Sequence, residues 1–133
     1  MNRKTVETDV LCVGGGIAGL MAAIRAREAG VKVVLVDKAN TLRSGSAGTG
    51  VDHFRVYIPE FHGPDIEPVV QEVWHSQAGW TRSKEFVRTW MERSFEIVKL
   101  WEDWGIPMKY KGKWEFAGHT FPGRPFTGLK FSG

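Results

Sequence analysis

One segment constrains the fold of this chain more than any other, and it reads DVLCVGGGIAGLMAAIRAREAGVKVVLVD over residues 9–37. The apolar run VLCV leads directly into three consecutive glycines. Gly14, Gly16 and Gly19 have the spacing G-x-G-x-x-G, in which a strand turns sharply into a helix. Gly14 allows the sharp turn, and Gly19 lets the helix pack closely on the strands. The spacing therefore predicts a strand, a tight turn and a helix in direct succession.

The residues that follow the glycines predict the rest of a βαβ unit. One helical face carries the apolar residues Ile17, Leu20, Met21 and Ile24. Gly30 is placed to end this helix. Residues 31–36 (VKVVLV) form a nearly continuous apolar run, as a parallel strand covered on both faces requires. Asp37 ends the predicted second strand, 18 residues after Gly19.

This pattern is typical of dinucleotide binding. Gly16 has no Cβ, so a pyrophosphate can come close to the backbone. The N–H groups of the first helical turn, at Ile17 and Ala18, point toward the same place with the positive end of the helix dipole. Asp37 lies close to where an acid accepts hydrogen bonds from the adenosine ribose. The alternative, a glycine-rich turn that binds nothing, leaves the spaced glycines and the terminal acid unexplained.

Residues 38–50 (KANTLRSGSAGTG) form a loop with four hydroxyl side chains and three glycines. Such a loop can wrap around a phosphate, because its backbone N–H groups are unshielded and its hydroxyls can donate. We expect Lys38, Ser44, Gly45 and Ser46 to contribute to the ligand site. Taken alone, the loop could equally be a flexible linker; its position directly after Asp37 favours the ligand interpretation.

Composition gives no support to several classes of function. The net charge of +3 over 133 residues does not require a nucleic acid or a membrane as partner. Cys12 is the single cysteine, so the chain cannot form an internal disulfide or by itself hold an iron–sulfur cluster, and we expect Cys12 to be buried. His53 and His62 lack a third ligand at metal spacing, so no metal site is predicted. With no segment of about 18 apolar residues and no apolar leader, we expect a cytoplasmic protein without membrane insertion.

Two helices are predicted in the second half of the chain. Asp65 is expected to cap a helix from Ile66 to about Ala78. A second helix starts after Ser83 and runs to Trp104, with Gly105 and Pro107 as stop signals. We interpret its apolar stripe as core; the stripe consists of Val87, Trp90, Met91, Ile97, Val98, Trp101 and Trp104.

Residues 109–116 (KYKGKWEF) alternate charged and aromatic side chains around Gly112. Basic residues between aromatic ones can indicate binding of single-stranded nucleic acid. A small hairpin with one wet face and one packed face explains the same alternation. We favour the hairpin, because the chain as a whole is close to neutral.

The glycine-rich segment and the loop RSGSAGTG together resemble the succinate dehydrogenase/fumarate reductase flavoprotein family, which includes L-aspartate oxidase and the alpha subunit of adenylylsulfate reductase. The resemblance is good over residues 7–50 and looser over 65–124, and the Arg-Ser-Gly form looks most like the adenylylsulfate reductase branch. It implies FAD as cofactor. Gly45 stands where the respiratory members carry the histidine that attaches FAD, so the resemblance implies non-covalent FAD. The Ala-x-Gly-Gly tail of the loop is changed to AGTG here.

Residues 117–124 (AGHTFPGR) resemble the GGHS-x-PR stretch of soluble fumarate reductases and aspartate oxidases, with Gly123 inserted. In those relatives this stretch lies near the flavin ring. The resemblance implies that His119 could position a substrate carboxylate or tune the flavin, and that Arg124 could pair with an anion. The alternative is a turn whose polar residues face solvent. The principal acid–base residues of the family lie beyond residue 133.

The predicted fold class is α/β. Residues 1–50 form a Rossmann-like FAD-binding βαβ unit with its phosphate loop, and residues 51–133 continue the flavin domain as a helical segment and a small hairpin, leading toward a capping domain. Only two strands are convincing, and the ending FTGLKFSG shows no helix or strand that closes the fold. We therefore expect an incomplete domain, the N-terminal piece of a longer flavoprotein.

The predicted function is that of the FAD-binding portion of a flavin-dependent oxidoreductase that transfers a hydride or two electrons. The remainder of the flavoprotein and an iron–sulfur electron-transfer subunit are the expected partners. Two alternatives stay open at this point. One is an NAD(P)-binding redox subunit with the same βαβ unit, although Asp37 disfavours a 2′-phosphate. The other is a non-catalytic, truncated flavoprotein that acts as a partner in a redox complex.

Overall fold

The computed structural model describes residues 3–51, 53–76, 82–117 and 123–131. The chain divides into two compact units, Met1–Val51 and Asp52–Gly133. Within the described ranges, no helix is long and apolar enough to cross a membrane. Each unit has its own sheet, and the candidate site is built entirely from residues of the first.

The first unit contains the predicted strand, helix and strand. Strand β1 (Val10–Val13) leads into helix α1 (Ile17–Glu28), and strand β2 (Val33–Val36) follows. β1 and β2 pair in parallel, so that Val13 at the end of β1 lies beside Val36 at the end of β2. A 3₁₀ turn at Ser46–Thr49 ends the loop after β2. Because both strands end at the same edge, the residues that follow them are brought together.

The first unit buries little of its apolar surface. Among its described residues, Gly15 alone is buried. Parallel strands are usually covered on both faces, yet Leu11 and Val13 of β1 are 58% and 79% exposed. Cys12 is half-buried, so the expectation of a buried thiol was wrong. Its burial was inferred from a strand covered on both faces, whereas the sheet in this structure has two strands with one helix packed on them.

The second unit contains three short strands, β3 (His53–Arg55), β4 (Phe116–Ala117) and β5 (Gly128–Lys130). They form an antiparallel sheet in the order β3, β5, β4. Leu129 of the central strand β5 pairs with Phe54 on one side and Phe116 on the other. The expectation that FTGLKFSG holds no strand was therefore wrong. The three residues of β5 carry no recognisable periodicity, and both of their partners are distant in sequence.

The helices of the second unit follow the predicted pattern with changed ends. A short helix α2 (Pro59–His62) was not predicted. Helix α3 spans Glu67–His75, later and shorter than expected; Asp65 precedes the N-cap and accepts a hydrogen bond from the Glu67 N–H at 2.9 Å. Residues 77 and 78, the predicted end of this helix, lie outside the described residues.

Helix α4 (Lys84–Asp103) has the predicted start and ends one residue before the predicted Trp104. The Ser83 hydroxyl caps its first turn by accepting from the Phe86 N–H at 3.1 Å. The apolar stripe is core as predicted at Val87, Met91 and Val98, which are fully buried. Trp104 differs, because it is the C-terminal cap residue and is 45% exposed.

The core of the second unit consists of two clusters of buried side chains. The first joins α3 to the start of α4 and contains Tyr57, Val69, Val70, Val73, Val87 and Met91. The second joins the sheet to the end of α4 and contains Val56, Ile58, Val98, Met108 and Leu129. Around the second cluster, the ring of Phe131 packs edge to face on Phe54 and on Trp101, and the rings of Phe54 and Trp101 pack tilted against each other.

The predicted hairpin contains a tight turn at Lys111 and Gly112. Tyr110 and Lys113 exchange two backbone hydrogen bonds of 3.0 Å. Both central residues have positive φ angles, 48° and 75°, as a two-residue type I′ turn requires. Trp114 packs against the second core cluster while Tyr110 is exposed, which gives the expected packed and wet sides.

We expect Leu129→Ala to lower the free energy of unfolding by about 2–5 kcal/mol, because a fully buried leucine leaves a cavity in the core when truncated. Leu42→Ala is the matched control: the same atoms are removed from a side chain that is 84% exposed, so the change should stay within about 0.5 kcal/mol. Chemical denaturation of the two variants measures the difference. Equal effects would contradict the central position of β5.

We expect the stability of the second unit to fall in acid through Glu67. A hydrogen bond from Lys84, another from Gln71 and the charges of Lys84 and Arg88 lower the pKa of Glu67 from 4.5 to about 2. Because the folded carboxyl has the lower pKa, its contribution is fully present above pH 4.5 and is lost as the pH falls toward 2.

Denaturation of Glu67→Gln at several pH values measures this contribution. The variant should be less stable than the parent chain near neutral pH, and the difference should shrink as the pH falls from 4.5 and be lost only below about pH 2. Glu92→Gln, at an exposed position of helix α4, is the charge-matched control. A difference for Glu67→Gln that is independent of pH would rule out the ion-pair explanation.

Candidate functional site

The glycine turn between β1 and α1 is held in a conformation that requires glycine. Gly14 has a φ of 104°, which side-chain-bearing residues rarely adopt. Its N–H donates to the Val36 carbonyl at 2.8 Å, which ties the turn to the end of β2. α1 begins immediately after Gly16 with no acidic residue in its first turn. The N–H groups and the positive dipole end of this helix are therefore not offset by an acidic residue of the helix itself.

Gly19 is the point of closest packing inside the turn. A Cβ at this position would overlap with the carbonyl oxygen of Gly14. The third glycine of the spacing thus has the packing role that the sequence predicts. Any side chain here would have to displace the backbone of the turn.

Gly16 lies against a neighbour that the sequence did not reveal. A Cβ on Gly16 would lie 3.3 Å from Cα of Gly45, and a Cβ on Gly45 would lie 2.8 Å from Cα of Gly16. Gly45 also has a φ of 80°, a second reason for glycine at this position. The two glycines let the backbone of the loop touch the backbone of the turn.

Asp37 connects the same two segments through its carboxylate. Oδ2 accepts a hydrogen bond from the Gly15 N–H at 2.6 Å. Oδ1 accepts from the Ser44 hydroxyl at 2.5 Å and from the Ala39 N–H at 2.7 Å. The Ser44 hydroxyl, followed by the two amides, holds the pKa of Asp37 below its usual value, because each donor stabilises the charged form.

Two cavities adjoin these contacts. One has a volume of about 280 Å³ and is lined by Val13, Gly14, Gly16, Ile17, Ala18, Gly19, Gly45, Ser46 and Ala47. The other, of about 350 Å³, is lined by Val13, Gly14, Val36, Asp37 and Lys38. Apart from Val13 and Ile17, the first is lined by glycines and small residues, while the second combines two valines with a carboxylate.

Comparison with known proteins identifies the family. A sequence profile of the FAD binding domain matches residues 9–132. The chain belongs to this family. It is the family of the succinate dehydrogenase and fumarate reductase flavoproteins, so the resemblance seen in the two glycine-rich motifs is confirmed, and FAD is the cofactor.

The curated relatives match part of this chain, and the matched part is a small share of their own length. Two proteins from two strains of Halobacterium salinarum, each described as a probable subunit of an anaerobic glycerol-3-phosphate dehydrogenase, are 39% identical over 64 residues. The match covers 47% of this chain and 14% of each relative. No solved structure gives a significant match.

The residues of the FAD-binding domain fit the cofactor. The smaller cavity is bounded by glycines where side chains would intrude, and it lies at the N-terminus of α1, the combination that suits a pyrophosphate. The larger cavity has apolar walls for a planar base and the Asp37 carboxylate for ribose hydroxyls. All ten residues predicted for the cofactor line one of these cavities or, as Ser44 does, bond to Asp37. Their contact with FAD stays a prediction.

The two predicted catalytic candidates have different outcomes. His119 lies outside the described residues. Arg124 belongs to the second unit, where its Nη1 lies 3.4 Å from Oε2 of Glu72. The Glu72 side chain is 4% exposed, so the guanidinium compensates a buried carboxylate. This gives Arg124 a structural partner, and its role toward an anion stays a prediction.

The FAD-binding domain also uses residues that the sequence reasoning missed. Gly15 was not assigned to the site, yet its N–H donates to Asp37, and a Cβ on it would lie 2.6 Å from Cγ2 of Thr41. Ala39 contributes only a backbone N–H; an aspartate two residues before it is the local signal of such a turn. The contact between Gly16 and Gly45 has no sequence signal, because two glycines pack by the absence of side chains.

We expect Gly19→Ala to lower the free energy of unfolding by about 1–3 kcal/mol, because the added Cβ meets the Gly14 carbonyl. Helix propensity alone would favour alanine over glycine by about 1 kcal/mol, so the sign of the change identifies the clash. Ala22→Val adds bulk at an exposed position of the same helix and is the control. Thermal or chemical denaturation measures both; a stabilised Gly19→Ala variant would contradict the close packing.

Proposed function

We propose that this chain is the FAD-binding portion of a flavin-dependent oxidoreductase of the fumarate reductase/succinate dehydrogenase type. The observation that carries the proposal is the joining of the glycine turn to the loop after β2 through Asp37, with two cavities beside the turn. The family membership supplies the cofactor, and the site geometry supports the places at which its parts bind.

The pyrophosphate of FAD would be held at the smaller cavity. Gly14, Gly16 and Gly19 keep the turn free of side chains there, and the N–H groups of Ile17 and Ala18 open α1 beside it. Ser46 and Gly45 bound the cavity from the loop. In this proposal the turn and the loop form a Rossmann-like unit that surrounds the phosphates with backbone donors.

The adenosine end would be held at the larger cavity. Asp37 would accept hydrogen bonds from the ribose hydroxyls, as its low pKa keeps it ionised. Val13 and Val36 supply apolar surface for the base, and the cation of Lys38 lines the same cavity. A carboxylate here repels a 2′-phosphate, which favours FAD over an NADP-type ligand.

In this proposal FAD is bound non-covalently, because residue 45 is a glycine and has no side chain that could attach the cofactor. A histidine at residue 45 would need a left-handed backbone and would place its Cβ 2.8 Å from Cα of Gly16. The loop conformation is thus compatible with glycine and not with the residue that attaches FAD in the respiratory members. We expect FAD to be released when the protein is denatured.

The bound flavin would supply hydride or two-electron transfer, while the residues of this chain bind and orient it. His119 and Arg124 remain the candidates for contact with a substrate anion. For His119 this proposal depends on the family resemblance alone. The match covers 14% of the length of each curated relative. Any substrate or complete reaction assigned to the parent protein is therefore also a proposal.

A second role is favoured by one observation. Leu11 and Val13 leave an apolar strand exposed on the first unit. A chain with this surface could serve as a non-catalytic FAD-binding partner in a redox complex, alongside the remainder of a flavoprotein and an iron–sulfur subunit. Turnover by the purified chain with an electron acceptor would argue against this role.

The test is the absorption spectrum of the purified chain after incubation with FAD and removal of free dye. We expect a flavin band that is released on denaturation. Gly16→Val should abolish it, because the branched side chain would enter the space shared with Gly45 and the proposed pyrophosphate. Ala22→Val, at an exposed position of the same helix, controls for added bulk. Equal flavin retention by Gly16→Val and the parent chain would refute the placement of the cofactor.

A further inference from the structure

The carboxylate of Asp37 receives three hydrogen bonds, and they differ in origin. The Gly15 N–H comes from the glycine turn at 2.6 Å, and the Ala39 N–H comes from two residues further along the chain. Both are backbone donors, so no substitution of a side chain removes them directly. The third donor is the hydroxyl of Ser44, at 2.5 Å from Oδ1. It is the side-chain link between Asp37 and the far part of the loop.

The Ser44 hydroxyl acts beside a second contact between the same segments. Gly45, the next residue, touches Gly16 of the turn through backbone alone. The loop is therefore attached to the turn at two adjacent positions, one through a hydrogen bond to Asp37 and one through van der Waals contact. The contact between Gly16 and Gly45 borders the cavity assigned above to the pyrophosphate, and Asp37 lines the cavity assigned to the adenosine end.

We propose that Ser44 is a positioning residue: through the carboxylate of Asp37 it fixes the loop of residues 38–50 against the glycine turn, and so holds together the two segments that bound the cofactor site. The part that concerns the cofactor rests on the proposed function. In this arrangement the hydroxyl of Ser44 acts on Asp37, and Asp37 in turn is held in the orientation from which it can accept the ribose hydroxyls.

Electrostatics support this assignment. The Ser44 hydroxyl is the largest cause that lowers the pKa of Asp37, ahead of the amides of Gly15 and Ala39 and the charge of Lys38, while partial burial acts in the opposite direction. Loss of the hydroxyl should therefore raise the pKa of Asp37 toward its ordinary value. The carboxylate would then become protonated at a higher pH, and a protonated carboxyl accepts hydrogen bonds less well.

The first measurement uses the ligand-free full chain with ¹³C-labelled aspartate, and follows the titration of the Asp37 carboxyl by NMR. Ser44→Ala should move its midpoint to higher pH, and Ser44→Thr, which keeps the hydroxyl, should restore it. Asn40→Ala is the matched control: it removes a side-chain acceptor of the Leu42 N–H in the same loop and leaves the donors of Asp37 in place. An unshifted midpoint in Ser44→Ala would overturn the proposal.

The second measurement is FAD affinity across pH, for the parent chain and Ser44→Ala. We expect a loss on the order of tenfold near neutral pH, the scale of one hydrogen bond to a charged group, and a larger loss toward about pH 4. A loss of constant size at every pH would indicate direct contact of Ser44 with the cofactor and would overturn the positioning role, as would unchanged affinity. Failure of the parent chain to bind FAD would refute the proposed function, while the ligand-free titration would still decide whether Ser44 holds Asp37.

Discussion

The hydrogen bonds to the Asp37 carboxylate are the interactions on which the candidate site depends. They join the end of β2, the glycine turn and the loop that follows. A charged acceptor suits this task, because hydrogen bonds to a carboxylate are stronger than those between neutral groups. One side chain thereby gives a shape to two segments rich in glycine, which have the largest conformational entropy to lose.

The first unit, which carries the candidate site, buries little of its apolar surface. α1 buries none of its residues fully, and β1 leaves Leu11 and Val13 largely exposed. Because two strands alone are at best marginally stable, this sheet depends on the packing of α1 against it. Any group that binds the folded form of this unit shifts its stability by mass action. FAD and a protein surface over the exposed strand would act in the same direction, so cofactor retention and assembly are expected to be coupled.

The sequence predicted those features whose causes are local. The glycine spacing, the apolar stripe of α4 and its start after Ser83 each depend on residues a few positions apart, and each is present. The predicted apolar face of α1 is only partly covered, since Ile17 is 53% exposed. β5 was missed because its stability comes from β3 and β4, which are distant in sequence, and three residues give no periodic signal. In the site, glycines and Asp37 were identifiable by residue type. The Ser44 hydrogen bond and the Gly45 contact were not, because they depend on how the loop folds back.

The central position of β5 also determines when the second sheet can form. β3 and β4 have no ladder with each other, and both pair only with residues 128–130 within the described part of the chain. During synthesis β3 therefore has to wait, unpaired, until nearly the whole of this sequence has left the ribosome. The helices between them can form earlier from local contacts, so the sheet is expected to close late and slowly, as long-range pairings do. Until β5 is available, the backbone groups of β3 around Phe54 have no strand partner. We therefore expect association with other chains to compete most strongly at this step of folding.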